Sequence, residues 1–166
     1  MLRKGYGQVE PNHLSAQRTG QIYAQLPAAD TIKVLENGEF VKYDYENGEV
    51  NKTGEGEWML VFNEVKLYDG YRETYKDFAQ KVSDSADGKI YPRVFKTNVG
   101  DIYTTNMLEK ASEGETELTD LEIGDDLGIN EDGYLEKDEN SDIKFKVVKV
   151  YTMADGQPAV KVQRIA

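Results

Sequence analysis

At 166 residues with 39% apolar side chains, the chain is the right length for one domain with a core of its own. A net charge of −11 argues against a nucleic acid or an anionic membrane as partner of the whole surface, because both need positive charge. The chain has no cysteine and one histidine, which removes disulfide frameworks, thiol nucleophiles and the common single-chain zinc sites.

No apolar run is long enough to span a bilayer, and the N-terminus lacks the apolar core of a signal peptide, so the chain reads as soluble without a visible export signal. Residues 1–29 carry Arg3, Lys4 and Arg18 against Glu10 alone, which makes this segment +2 and leaves −13 for the rest. Gly5, Gly7, Pro11, Gly20 and Pro27 interrupt any sustained periodicity, and only 12–19 has the look of a helical turn or two. Leu14, Ile22, Tyr23 and Leu26 are too apolar for a solubilising tail. The expectation is an extended N-terminal arm that docks on its own body or on another subunit.

Residues 30–166 read as a single β-domain. Thr31 to Val50 holds two strand-like runs closed by Asn37-Gly38 and Asn47-Gly48, with Phe40, Val41, Tyr43 and Tyr45 between them. Asn-Gly tolerates the positive φ of two-residue hairpin turns, so this stretch predicts a β-meander. Residues 51–57 form a polar, glycine-broken loop. Trp58 to Leu67 is the most apolar stretch and predicts a central strand buried on both faces, with a bulge near Asn63. Trp58 itself is a core or rim residue, with an interface anchor as the alternative.

Tyr71, Tyr75, Phe78 and Val82 then recur at helical spacing, which predicts one short helix near 70–82. Asp87-Gly88 is a turn, Pro92 marks the start of a strand reaching Phe95, and Asp101 to Leu108 continues as strand or loop. Glu109 to Asp142 carries 14 carboxylates against Lys110 and Lys137, and reads as a loop-rich acidic excursion with short strands. Ile143 to Tyr151 and Ala159 to Ile165 alternate cleanly about Asp155-Gly156 and predict a closing hairpin. The fold class is therefore all-β with one short helix, a small β-barrel or sandwich carrying an arm.

No catalytic constellation emerges. His13 stands in the arm, and nothing selects a pair of acids from 31 carboxylates. Asn130 to Gly133, or Asp138, Asn140 and Asp142, offer oxygen ligands at close spacing, but neither matches an EF-hand loop. Phosphate loops, dinucleotide fingerprints and basic-aromatic nucleic-acid surfaces are missing, so no enzyme activity, cofactor or metal is expected. By elimination the useful surface is a protein–protein one.

Three stretches carry a resemblance. They are QIYAQLPA at 21–28, LVFNEVKLYDGYRETYKDFA at 60–79, and a terminal block in which IGDDLGINEDGYLEK at 123–137 precedes FKVVKVYTMADGQPAVKVQRI at 145–165. Together they resemble small accessory proteins of tailed-phage heads, the decoration or cement class. The departures are a longer acidic stretch and a longer chain than many such proteins have. The resemblance implies a virion protein assembled in the host cytoplasm, which binds across capsomer junctions and stabilises the shell against internal DNA pressure. Its partner would be the capsid shell or another virion protein, with a homo-oligomer or arm exchange, and neither nucleic acid nor membrane.

The arm's mixture of basic and apolar groups supplies the candidate contacts. Arg3, Lys4 and Arg18 would pair charges, and Tyr6, Ile22 and Tyr23 would anchor by burial. A self-contained β-module binding protein or carbohydrate is the competing reading; sharing an exposed plane among Tyr43, Tyr45, Trp58 and Tyr68 would favour sugar. An enzyme would require a cleft with two acids of divergent pKa.

Overall fold

The structure, a computed structural model of the chain, describes residues 6–13, 22–23, 26–63, 78–108, 121–138, 140–153 and 156–166. Arg3, Lys4, Arg18, Tyr68, most of the expected helix and residues 109–120 lie outside these.

The described chain forms β1 (Val9–His13), β2 (Ile22–Tyr23), β3 (Val34–Glu36), β4 (Phe40–Asp44), β5 (Glu49–Asn51), β6 (Met59–Val61) and β7 (Ala79–Lys81). After a 3-10 turn at Val82–Asp84 come β8 (Val94–Phe95), β9 (Ile102–Thr105), β10 (Asp126–Ile129), β11 (Leu135–Lys137), β12 (Phe145–Thr152) and β13 (Pro158–Arg164). All pairings between these strands are antiparallel. One sheet runs β1-β9-β13-β12-β10-β11, a second runs β2-β8-β6-β4-β5, and β3 and β7 make a two-stranded ribbon. The protein is all-β. The sheets are open among the described residues, so the sandwich alternative holds and the barrel does not.

Period-two alternation explains the layering. Val9, Tyr103, Leu127, Leu135, Phe145, Val147, Val160 and Val162 of the six-stranded sheet bury against Phe40, Leu60 and Phe95 of the five-stranded one. Phe145 lies at the centre, 5.8 Å from the Phe40 ring and edge-on to Tyr103 at 5.9 Å. The neighbours of those three five-stranded residues, Val41, Met59, Val61 and Val94, point the other way into a second core. Leu35 of the ribbon, Ala28, Val50 and Ile90 complete it, with Leu26, Ile32 and Val82 packed on its rim. The middle sheet is thus covered on both faces. That is why Met59, Leu60 and Val61 are all buried and why their stretch of sequence lacks a polar alternation. Burying each such aliphatic or aromatic side chain contributes about 1.5–3 kcal/mol before entropy is counted.

Several expectations are corrected. Asn37-Gly38 does not close a hairpin, since β3 pairs with β7 while β4 pairs with β5 and β6. It is a corner that carries the chain from the ribbon into the middle sheet, so the meander reduces to the hairpin β4–β5. That hairpin has a four-residue loop, 45–48, in which Gly48 at φ +64 donates its N–H to Asp44 O. The strand expected over Trp58 to Leu67 ends at Val61 within the described residues, because the Asn63 N–H donates to Asn37 Oδ1 instead of to a neighbouring strand; 64–67 lie outside them. Residues 79–81 of the expected helix are strand, drawn out by pairing with β3. The described part of the acidic excursion is not among these corrections: it holds the short strands β10 and β11, which pair with each other, β10 also pairs with β12, and Leu121, Leu127 and Leu135 enter the first core.

The two Asn-Gly corners separate conformational strain from crowding. A Cβ on Gly48 meets nothing within 4 Å, whereas on Gly38 (φ +95) it would stand 2.8 Å from both Met107 Cβ and Thr105 Oγ1. Gly48→Ala is expected to cost about 1 kcal/mol from its positive φ alone. Gly38→Ala adds overpacking and is expected to cost about 3 kcal/mol. Denaturant melts of the two variants check the ordering, and equal losses would contradict it.

Candidate interaction surface

Of the expected contact residues, the structure describes three, and it joins them to the body. Tyr6 is half-buried, with the Lys81 ammonium of β7 4.6 Å from its ring centroid. The hydrogen bond with Tyr6 holds that ammonium above the usual lysine range. Ile22 and Tyr23 pair with Phe95 and Val94, which makes β2 the edge of the middle sheet. β1 likewise lies on β9 as the edge of the six-stranded sheet. The described arm therefore caps two sheet edges on its own body, the first of the two destinations open to it. His13 pairs through its backbone with Ile102.

The shifted acids report turns rather than a reaction centre. Asp44 is held below the usual carboxylate range by the Asn47 N–H and side chain, with Asn51 and Glu46 helping. Asp87 is lowered by Ser85, the Lys89 N–H and the Tyr91 hydroxyl, and Asp125 by the Glu122 N–H and Lys137. Each is a solvent-facing carboxylate gathering the donors of its own loop. Tyr103 is raised, first by burial and then by the Asp101 charge; its hydroxyl has no hydrogen-bond partner among the described residues.

No group of three or more His, Asp or Glu side chains suited to a metal occurs among the described residues. In the 130–134 turn, Asn130 Oδ1 accepts the N–H groups of Asp132 and Tyr134, and Asp132 O accepts a hydrogen bond from the Lys52 ammonium at 2.8 Å. Those oxygens are already committed, and a cation already sits there. Tyr43 and Tyr45 stack at 4.4 Å, but Tyr43 packs on the second core while Trp58 packs on the first, under the Lys42 ammonium. Opposite sides of one sheet cannot supply a shared aromatic plane. A groove of about 390 Å³ lined by Gln80, Lys81, Asp84, Lys89 and Tyr91 is open to solvent.

The distinctive surface lies elsewhere, on the outer face of the six-stranded sheet. The segment that builds β12 and β13, residues 143–166, carries Lys144, Lys146, Lys149, Lys161 and Arg164 against Asp155, a net +4, while residues 1–142 carry −15; Glu10 and Asp126 lie in register with its outward lysines. Lys146 is paired with Asp126, and Arg164 reaches inward to Glu57 at 3.0 Å. Lys149 and Lys161 have no carboxylate partner among the described residues, yet they face each other directly across β12 and β13. Opposed like charges are unfavourable in a sheet. Beside them in the next row lies Tyr151, its ring centroid 5.2 Å and 5.9 Å from the two ammonium groups. Its hydroxyl is fixed by Thr104 Oγ1 at 2.8 Å and the Glu10 carboxylate at 3.1 Å.

Sequence reasoning missed this face, although the alternation in IKFKVVKVY and AVKVQRI contains it. The obstacle is the irregularity between Val147 and Lys149. It shifts the inside–outside phase mid-strand, so the lysines cannot be aligned across the hairpin by counting. Comparison of the chain with family models, curated proteins and solved structures returned no match.

Two outcomes follow from this geometry. The Asp87 carboxylate should titrate below the ordinary 3.8 when followed by NMR. Because its folded value is the lower one, its contribution is present above the unfolded pKa and is lost as pH falls through the folded value. A midpoint at or above 3.8 would contradict the hydrogen-bonded turn. Lys149→Glu replaces a repulsion by an ion pair with Lys161, a swing of roughly 0.2–1 kcal/mol that offsets the lost cation–π contact. The variant is expected to melt no earlier than wild type; a clear drop in Tm would show that the lysine pair is not under strain.

Proposed function

We propose that the chain is a structural, non-enzymatic protein that acts through protein–protein contact, as an accessory on the outer surface of a virion shell. There it stabilises the shell in the manner of a decoration or cement protein. The observation that carries this reading is the segregation of charge: the closing segment 143–166 carries +4 against −15 in the rest of the chain, and its hairpin sets Lys149 opposite Lys161. Charge of opposite sign gathered on one face steers and orients docking more than it stabilises a fold.

The resemblance to phage-head accessory proteins supplies the kind of partner. Its terminal block, 123–137 and 145–165, is the block that builds β10 to β13 and so bears this face. Partners are the shell or another virion protein, with copies associating or exchanging arms at the edge positions of β1 and β2. The carbohydrate-module alternative has less support, because Tyr43 and Trp58 lie on opposite sides of their sheet.

The test is co-sedimentation. The full chain, tagged and produced in cells in which tailed-phage heads are assembling, is expected to sediment with shells and to remain through a low-salt wash. Recovery only in slow-sedimenting fractions would overturn the reading.

A further inference from the structure

Glu10 on β1, Thr104 on β9, Lys161 on β13 and Lys149 on β12 follow one another in register across the outer face of the six-stranded sheet. The row thus passes from an acid through a hydroxyl to two cations. Tyr151 lies in the next row opposite Ala159, and its hydroxyl reaches back to Glu10 and Thr104. The ring is therefore fixed through its hydroxyl and lies within cation–π range of both ammonium groups. Resting on the protein-binding reading, we infer that this face is the docking surface, and that it takes an acidic protein surface, with Lys149 and Lys161 as paired cations about a fixed Tyr151.

The lysines fit this role because they are already where a partner's carboxylates would need them. Their opposition is a repulsion that a bound carboxylate between them turns into two attractions. An ordinary surface pair would have an acid at one of the two positions, as Lys146 has with Asp126 on the neighbouring strand pair. Tyr151 adds a contact that loses little entropy on binding, since its hydrogen bonds have already fixed its rotamer. Tyrosine is among the residues enriched at interface hot spots.

The remaining charge fixes the orientation. Residues 1–142 carry −15, so an acidic partner surface repels every approach except through the face bearing Lys149 and Lys161. Such a device gives each copy on a repeating shell the same attitude without extensive contact area. Duplex nucleic acid is a poorer occupant. It presents a charge every ~1.7 Å and is bound by longer basic tracks, whereas here the track is one lysine pair on a chain of net charge −11.

The experiment is an NMR titration of the full chain with a short synthetic peptide alternating glutamate and valine, with duplex DNA as a second probe. Peptide-induced amide shifts are expected in 146–152 and 159–163 and at Thr104, weakening as salt is raised. Lys149→Glu combined with Lys161→Glu should weaken peptide binding about tenfold or more. That double variant keeps a like-charge pair of reversed sign, and the single Lys149→Glu, with its new ion pair, is the folded control. Unchanged peptide binding by the double variant, shifts on another face, or tighter binding of the duplex at this face would each overturn the inference. The shell assay separates the two readings. If wild type and double variant both sediment with shells, the shell reading stands and this face is not the docking surface. If the peptide binds this face but no variant sediments with shells, the face stands and the shell reading fails.

Discussion

Everything in this fold is referred to one buried polar corner, Glu36 to Phe40. Five consecutive residues make backbone or side-chain bonds to the N-terminal segment, the ribbon, the middle sheet and the β10–β11 turn. The Glu36 carboxylate accepts the Gly7 N–H at 2.6 Å, and the Asn37 N–H donates to Phe78 O at 3.1 Å. The Asn37 side chain locks onto the backbone of Asn63, accepting its N–H at 2.8 Å and donating to its carbonyl at 3.2 Å. Gly38 N–H donates to Val61 O at 2.9 Å, and Phe40 N–H to Gly133 O at 2.8 Å. The buried Glu39 carboxylate is matched by Lys52 at 2.6 Å, the same ammonium that holds Asp132 O. Buried polar groups are costly unless satisfied, so once this set is complete, alternative arrangements of the layers leave donors and charges stranded. The corner specifies which layers meet, and apolar burial supplies the energy for them to do so.

That division of labour explains what was legible in the sequence. The alternation of β13 and of the start of β12, and the unbroken apolar run of β6, follow from which faces are buried, and they could be read directly. The Asn-Gly signal at 37–38 was equally visible and was misread. Positive φ at Gly38 says that the chain turns sharply; it does not say whether the arriving and departing strands pair. The pairing of β3 with β7 is set by residues more than forty positions apart, and nothing local to Asn37 encodes it. Likewise 79–81 carries the spacing of a helix, but the pairing available along β3 draws it into strand. The candidate site was hidden for a related reason. A two-residue basic excess in the arm is conspicuous in a linear reading, whereas Lys149 and Lys161 become a pair only when β12 and β13 fold back with their irregular register.

Edges show the same economy. The six-stranded sheet would end at β9 and the middle sheet at β8 if the N-terminal strands were elsewhere; β1 and β2 cover both. On the far side, Pro27 and Ala29 exchange backbone bonds with Val50 alongside β5, and Leu108 bridges to Leu135 beside β11. Strand edges left open invite pairing with other chains, so these short cappings limit unplanned association. In this light the N-terminal segment is part of the sandwich, and an arm exchanged between copies would have to vacate both edges before reaching a neighbour.

With its described edges capped, the molecule offers a partner its sheet faces and loops. The middle sheet is covered on both sides, and the ribbon and loops around it carry acid. Among the described residues, the outer face of the six-stranded sheet combines an anchored aromatic with two lysines, Lys149 and Lys161, that have no carboxylate partner there. Stability alone would place an acid opposite Lys149 or Lys161, and this chain has acids in abundance. Keeping both positions basic in a protein of net charge −11 is therefore a local cost that the fold does not require, and binding is the physical term that can offset it.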